Sequence, residues 1–495
     1  MKNINYILNP DYTFKNDLKR VILYAKSQPA EYSSKSWFSI IHPVQAMILS
    51  FFSKERTLDE AIRLICLFLE ISDEEAKTKI MPFIENAEPL KNSYKGHNFY
   101  FPKMLIIKAN RNKCEEFSPE EMICEGNDFV TKRLYSGPLM LTLMLSNQCV
   151  TKCCYCYADT SSQVENPLST DKILDLIKEA KAINMNKFNL IGGEVFLHKN
   201  WNVILKELVK NDFYPDIIST KVPITEKIIS KLENAKYSNN IQISLDSMSS
   251  DSLEQSLYVN KGYIDRVKKG IYLLDNNNIN YQIATILTTY NDSIESMSSM
   301  YNFIKSLKKI KSWRIAPAMN SLYKNYQEFS NIKTNREKVE NVYFFIEKEI
   351  KPQANFDIIL DHSYLDRNYF SSEKGSEHFA GSKCSALNNH LFILPDGKVT
   401  ICEQLYWNKN FIIGDIKTNT LTQIWNSPQA LRLAYMKKEY IDKKSKCYSC
   451  GQFQNCFDNR NRCWTDIIKA YGDEHWDYPD PRCKKAPQMI QELNF

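Results

Sequence analysis

Four cysteines fall within eight positions, Cys149, Cys153, Cys154 and Cys156, directly behind the apolar run at 139–145. A strand that ends in so many thiols has to deliver them to a metal group or pack them away, and that choice constrains the fold more than any other stretch. Cys149, Cys153 and Cys156 have the spacing C-x3-C-x2-C, which lets one short loop present three thiolates to one face of a cubic iron-sulfur cluster. Three ligands for four irons leave one iron open to a small chelating ligand, whereas a cluster held by four cysteines can only relay electrons. A zinc knot is the competing reading, but zinc takes four ligands, commonly from C-x2-C pairs, and no histidine lies in the loop. Cys154 fits no ligand spacing and is expected to be a packed thiol.

The chain around the loop is that of a soluble globular protein. With 495 residues, 43% hydrophobic and 25% charged, it has enough apolar surface for two to four domains. No uncharged run approaches the ~18 to 20 residues needed to cross a bilayer, and "MKNINYILNPDY" has no signal-peptide core. Fourteen cysteines without an export signal point to a reducing compartment, the cytoplasm, where thiols serve metals or redox chemistry. The net charge of +6 is small and its lysines are interspersed with acids, so neither nucleic acid nor membrane is an expected partner.

Three regions differ in texture. Between 138 and 366, "LMLTLML", "KFNLI", "PDIIST", "IQISLD", "YQIATIL" and "WRIAP" read as short strands, and "DKILDLIKEAKAI" repeats its apolar positions at helical spacing. Strands separated by helices imply an α/β fold with a parallel sheet curled into a full or partial barrel, expected as a partial (β/α)6 TIM-type barrel, with its site at the C-terminal strand ends. The cysteine loop begins at the end of the first such strand. From 1 to 105, "YILNPDYTFKNDLKRVILYAK" alternates like a hairpin. Thr57 with Glu60 and Ser72 with Glu75 read as capping boxes, and Pro43 suits a first helical turn. Strands followed by three helices suggest a winged-helix-like α+β module. The charged, weakly periodic stretch 106–137 reads as a linker.

The loop resembles the signature of the radical S-adenosylmethionine enzymes, C-x3-C-x-aromatic-C, through Cys149, Cys153, Tyr155 and Cys156. The resemblance implies a 4Fe-4S cluster whose open iron is chelated by the methionyl amine and carboxylate of S-adenosylmethionine, reductive cleavage to a 5′-deoxyadenosyl radical, and a flavodoxin- or ferredoxin-type reductant. Gly192, Gly193 and Glu194 are similar to the family's "GGE" motif, in which the glycines allow close backbone approach and the glutamate pairs with the methionyl ammonium. Ser244 and Asp246 stand where the family often contacts the ribose, although strand-end caps are an equal reading. Tyr155 belongs to the same cofactor set. Lys261 and Arg266 are the candidates for the family's cation on the methionyl carboxylate.

Between 367 and 495, Cys384, Cys402, Cys447, Cys450, Cys456, Cys463 and Cys483, with "LPDGKVTIC" and "GDIKTNTLTQIWNSPQALRL", resemble the SPASM domain of radical peptide-modifying enzymes. By cysteine order the resemblance implies one auxiliary 4Fe-4S cluster on Cys447, Cys450, Cys456 and Cys483. The other would have three ligands, Cys384, Cys402 and Cys463, leaving room for a substrate thiolate or another side chain. Together with the loop this makes three 4Fe-4S clusters. Zinc, with His390 and His475 as the spare ligands, is the alternative. Six residues separate Cys456 from Cys463 where the family usually has three, and Asp415 replaces its usual asparagine.

The first region resembles the PqqD-like modules that bind the leader of a precursor peptide as an added strand, a mode in which main-chain bonds give affinity and pockets give choice. The whole then resembles a maturase of ribosomally made peptides, installing a thioether or carbon–carbon crosslink with no catalytic side chain yet assignable. Alternatives are a maturase of a folded protein of the sulfatase formylglycine type, a peptide epimerase, and a zinc-stabilised binding scaffold.

Overall fold

The computed structural model of the chain describes residues 4–26, 37–109, 115–363, 384–460, 462–491 and 493. They form two compact units, one running to Leu139 and including Ala182–Lys187, the other comprising Met140–Lys181 and the chain from Phe188.

In the first unit, β1 (Asn5–Leu8), β2 (Tyr12–Asn16), β3 (Val21–Ala25) and β4 (Phe38–Ile41) lead into α1 (Pro43–Ser50); β5 (Arg56–Thr57), α2 (Leu58–Leu69), α3 (Asp73–Ile80), β6 (Leu90–Tyr94), β7 (His97–Phe101) and β8 (Ile106–Lys108) follow. The expected hairpin is β2–β3, in antiparallel register from Tyr12↔Ala25 to Asn16↔Val21, and β4 adds a third strand. Thr57 and Ser72 each accept a bond from the backbone N–H three residues on, at 3.2 and 3.3 Å, which satisfies donors that the first helical turn leaves bare. Helix α1 is capped by a residue type the sequence did not flag: His42 accepts from Val44 N at 3.2 Å through Nδ1, with Pro43 behind it.

The described residues of the stretch 106–137, expected to be a linker, are packed instead. Strand β8 pairs with β1, and Met122 and Leu134 are buried. Arg20 and Asp17, both fully buried, form an ion pair at 2.9 Å. Arg20 also donates to the carbonyls of Arg133 (2.9 Å), Asp128 (3.3 Å) and Thr131, while Asp17 accepts from Ser136 N and Oγ. A buried guanidinium needs acceptors for five N–H groups, and an irregular segment offers free carbonyls. Hydrophobic periodicity cannot register such bonds.

The second unit runs β9 (Met140–Met144), α4 (Thr170–Ala182), β10 (Lys187–Ile191), α5 (Trp201–Lys210), β11 (Ile217–Thr220), α6 (Glu226–Asn234), β12 (Asn240–Ser244), α7 (Ser250–Leu257), α8 (Tyr263–Asn276), β13 (Tyr281–Leu287), α9 (Ile294–Ile304), β14 (Ile310–Pro317), α10 (Tyr326–Ile332), α11 (Arg336–Phe345) and β15 (Asp357–Leu360). All six expected strands are present. Strands β11 to β15 form a continuous parallel sheet, and β9 pairs with β10 in a separate ladder, so the barrel is partial. Ile241, Ile243, Ile283, Trp313 and Ile315 are all within 3% of full burial, as strands covered on both faces require.

The cysteine-rich region is joined to this barrel by a strand. After β16 (His390–Ile393) come β17 (Lys398–Thr400), β18 (Gly414–Asp415), α12 (Leu421–Trp425), α13 (Pro428–Ala434), α14 (Phe453–Arg460) and α15 (Trp464–Tyr471). Strand β16 pairs in parallel with β9, from His390↔Met140 to Ile393↔Leu143, on the side away from β10. Gly397 turns the β16–β17 hairpin at φ +91°, a conformation that favours glycine. The expected boundary at 366/367 lies outside the described residues. Among the described residues no helix is long and apolar enough to cross a membrane.

Candidate iron-sulfur and cofactor site

The cysteine loop leaves β9 at the C-terminal end of the barrel. It is pinned to α7 by backbone bonds from Lys152 N to Leu257 O (3.1 Å) and Cys154 N to Ser256 O (3.0 Å). Thr151 stands between two of the thiols, its Oγ1 3.5 Å from Cys149 Sγ and 3.1 Å from Cys153 Sγ. Cys154 turns the other way and packs with Ala318, Phe329 and Ile332, as a thiol outside the ligand spacing should. Burial pushes the Cys153 and Cys156 thiols up, so it takes the positive charge of a bound metal group to hold them as thiolates.

The two glycines after β10 are there because the loop's backbone leaves no room for a side chain. A Cβ on Gly193 would lie 2.4 Å from Gln148 O and 2.5 Å from Asn147 O, and one on Gly192 2.8 Å from Ser146 O. Gly193 N donates to Ser146 O at 2.7 Å. Glu194 is almost fully buried and accepts from Thr220 Oγ1 (2.9 Å), Lys221 N (2.9 Å) and Phe196 N (3.2 Å). Burial raises its carboxyl, and these donors act in the opposite sense.

Lys221, the first residue after β11, is the member of this site that motif reading missed. Its Nζ donates to Tyr155 OH at 2.9 Å and to Asp246 Oδ2 at 3.2 Å, and Tyr155 OH donates to the same Asp246 oxygen. Asp246 Oδ1 accepts from Ile286 N at 2.9 Å, and Lys221 O accepts from Tyr263 OH at 2.7 Å. Burial opposes a charge on Lys221, but the Asp246 carboxylate outweighs it and holds the ammonium above the ordinary lysine range. The signal in the sequence was position alone, since a polar residue just past a barrel strand points at the site. Ser244 ends β12, two residues before Asp246. Lys261 and Arg266, by contrast, do not reach the site: Lys261 pairs with exposed Asp251 at 3.7 Å and exposed Arg266 donates to Asn260.

Cys447, Cys450, Cys456 and Cys483 line one partly open cavity. Lys446, Arg462 and Lys485 share its wall, and Lys485 Nζ lies 3.4 Å from Cys450 Sγ. Four thiols and three cations around one void suit an anionic iron-sulfur group. Cys402 is within electrostatic reach of both other thiols of the second set: burial pushes the Cys402 thiol up to about 11, with Cys384 adding to it, and Cys463 is raised well above the usual range by burial, with Cys402 contributing. Cys463 is held in place despite its unusual spacing, because its N–H donates to Asp480 Oδ2 at 3.0 Å. The zinc alternative gains no ligand from His390, whose ring nitrogens lie 2.9 Å from Thr142 Oγ1 and 3.2 Å from Ser385 Oγ.

The Radical SAM superfamily matches residues 143–304, and the SPASM iron-sulfur cluster-binding domain matches residues 384–451. The antilisterial bacteriocin subtilosin biosynthesis protein AlbA of Bacillus subtilis is 23% identical over 326 residues, 65% of this chain and 67% of that protein. A probable GTP 3′,8-cyclase of Methanococcus maripaludis is 30% identical over 131 residues, 26% of this chain, and the match spans less than half (43%) of that protein. In fold, the chain is similar to Streptococcus suis SuiB bound to S-adenosylmethionine, with a TM-score of 0.61 at 17% identity, covering 97% of this chain and all (100%) of that one. The Radical SAM match holds Cys149, Cys153 and Cys156, and the SPASM match holds Cys384, Cys402, Cys447 and Cys450, with Cys456, Cys463 and Cys483 beyond it, so the chain is similar over these two segments to radical S-adenosylmethionine proteins that carry a SPASM domain.

Proposed function

We propose that the chain is a maturase of a ribosomally made peptide, installing a thioether or carbon–carbon crosslink, with a precursor peptide as its partner. The observation that carries this reading is the pairing of two cysteine sites in one unit: a three-cysteine loop at the barrel mouth and a four-cysteine cavity in the region joined to it by β16. When bound at the loop, a cluster and S-adenosylmethionine supply a radical able to take hydrogen from an unactivated carbon. The chain's own residues position and shield. Gly192 and Gly193 let the loop seat against β10, and Tyr155, Lys221 and Asp246 fix the floor beside Cys153. Cys149, Cys153 and Cys156 would hold the first cluster, Cys447, Cys450, Cys456 and Cys483 a second, and Cys384, Cys402 and Cys463 a third.

The division into a recognition module to 105, a barrel over 138–366 and a SPASM region over 367–495 belongs to the same proposal. AlbA is named for the biosynthesis of a bacteriocin, and SuiB has been solved with its precursor peptide SuiA, which supports a peptide as partner. In the first unit β4 is an edge strand, with Phe38 exposed, a place for an extended leader to add.

The test is anaerobic. Reconstituted protein should bind about twelve irons and form 5′-deoxyadenosine with dithionite and S-adenosylmethionine, and the Cys149, Cys153 and Cys156 to Ala variant should not. A cysteine-containing peptide encoded beside the gene should then lose two hydrogens in mass. Bound zinc with no cleavage would instead establish the scaffold.

A further inference from the structure

Arg462 is a buried cation with spare donors. The residue is 6% exposed and lines the cavity of Cys447, Cys450, Cys456 and Cys483. Its Nη2 donates to the carbonyls of Asp477 (3.1 Å) and Tyr478, but Nε and Nη1 have no hydrogen-bond partner. Among the described residues no carboxylate pairs with it. Asp480, the acid on the same cavity wall, is committed to Arg482 through two contacts of 2.7 Å. Leaving a guanidinium donor unmet in the interior costs about 1–3 kcal/mol or more, so two unmet donors on a residue that lines this cavity call for an acceptor there. Burial pushes the Cys447 thiol up and Arg462 pulls it back down, which places the guanidinium within electrostatic reach of the ligand set.

We propose that Arg462 is the counter-ion of an iron-sulfur cluster held in this cavity, donating Nε–H and Nη1–H to its sulfurs and holding its reduction potential high. This rests on the cluster assignment made above. An iron-sulfur core with four thiolates is anionic, reduction adds a further negative charge, and both a nearby cation and hydrogen bonds to sulfur favour the reduced form. Lys446 and Lys485 stand at the same wall but are exposed, so water screens them. The buried guanidinium is the charge that counts.

The experiment is a redox titration of anaerobically reconstituted full-length protein, followed by electron paramagnetic resonance, comparing the unmodified chain with Arg462→Gln and Arg462→Lys. A Cys447→Ala variant identifies which signal belongs to the cavity. Arg462→Gln should move that cluster alone to a more negative potential, by at least a tenfold change in the reduced-to-oxidised ratio, or about 59 mV for one electron. Arg462→Lys should recover part of the shift, and the loop cluster should not move. If Arg462→Gln keeps its iron and the cavity cluster titrates where it does in the unmodified chain, Arg462 is not its counter-ion. If Arg462→Gln loses the cavity's irons while Arg462→Lys retains them, the cation is needed even to hold the group, which supports the proposal. Should a Cys447, Cys450 and Cys456 to Ala variant, left with a single cavity thiol, keep its iron count unchanged, no cluster sits in the cavity, and the cluster assignment itself falls.

Discussion

Gly193→Ala is the sharpest perturbation that the site permits. The added Cβ would lie 2.4 Å from Gln148 O and 2.5 Å from Asn147 O, and ordinary contact begins near 3.4 Å. Backbone therefore has to give by about an ångström between β10 and the cysteine loop, one residue before Cys149. Gly193 N is bonded to Ser146 O, so the strain falls on the loop and not on a flexible side chain. Overpacking of this kind costs roughly 1–3 kcal/mol, which a unit with so large a core should survive. A misplacement of about 1 Å near the chemistry can cost on the order of 100-fold in rate. We expect soluble, folded Gly193→Ala protein whose S-adenosylmethionine cleavage, followed as 5′-deoxyadenosine by mass spectrometry, is down about 100-fold. Iron bound by a loop-less background carrying the same change should be unaltered, because the SPASM cysteines lie elsewhere. Cleavage within twofold of the unmodified rate would refute the claim that close backbone approach is why glycine stands here.

Lys221→Met leaves Asp246 buried without its cation, with side chains only 13% and 3% exposed in the pair. Breaking a buried ion pair costs about 3–5 kcal/mol, so urea unfolding of the iron-free protein should show a loss of that order, and Lys221→Arg a smaller one. His390 is pushed down to about 4 by burial, below its ordinary value of about 6.5 in an unfolded chain. Its contribution to stability is therefore complete above pH ~6.5 and is lost as pH falls toward 4, by up to roughly 3 kcal/mol. Chemical denaturation across that window should show the slope in the unmodified protein and a flatter profile in His390→Gln.

The parts of the fold that were legible in the sequence are those written in period and position. Six strands announced themselves as apolar runs, and the cysteine loop and "GGE" stood at two of their ends. What escaped was carried by side chains bonding to distant backbone or to each other. Arg20 pins 128–136 through carbonyls that no pattern records. Lys221 meets Tyr155 and Asp246 across 66 and 25 residues of chain, and it sits in "IISTKV" looking like any surface lysine. Strand β15 carries only the short apolar run Ile358, Ile359 and Leu360, of which Ile358 alone is buried. The substitutes sought for a cofactor cation, Lys261 and Arg266, were chosen by proximity in sequence, whereas the barrel brings in a cation from the neighbouring strand end. Cys463 looked doubtful by spacing, yet a single bond to Asp480 sets it.

The charges around the two sites differ in a way that orders their potentials. At the loop, Lys221 is paired with Asp246, and Lys324 and Lys221 both act on Cys156. At the cavity, Asp480 is already paired with Arg482, so among the described residues no carboxylate forms an ion pair with Arg462, Lys446 or Lys485 on its wall. The fourth thiolate there adds one negative charge, which the exposed lysines offset only in part and buried Arg462 offsets fully. Net charge and hydrogen bonds to sulfur set such potentials, and both favour reduction at the cavity. In the absence of S-adenosylmethionine the cavity cluster should therefore titrate at a more positive potential than the loop cluster. Protein carrying Cys447→Ala and protein carrying Cys149→Ala, each titrated separately, give the two values. If the loop cluster proves the easier to reduce, charge placement does not govern these sites, and solvent exposure becomes the variable to test.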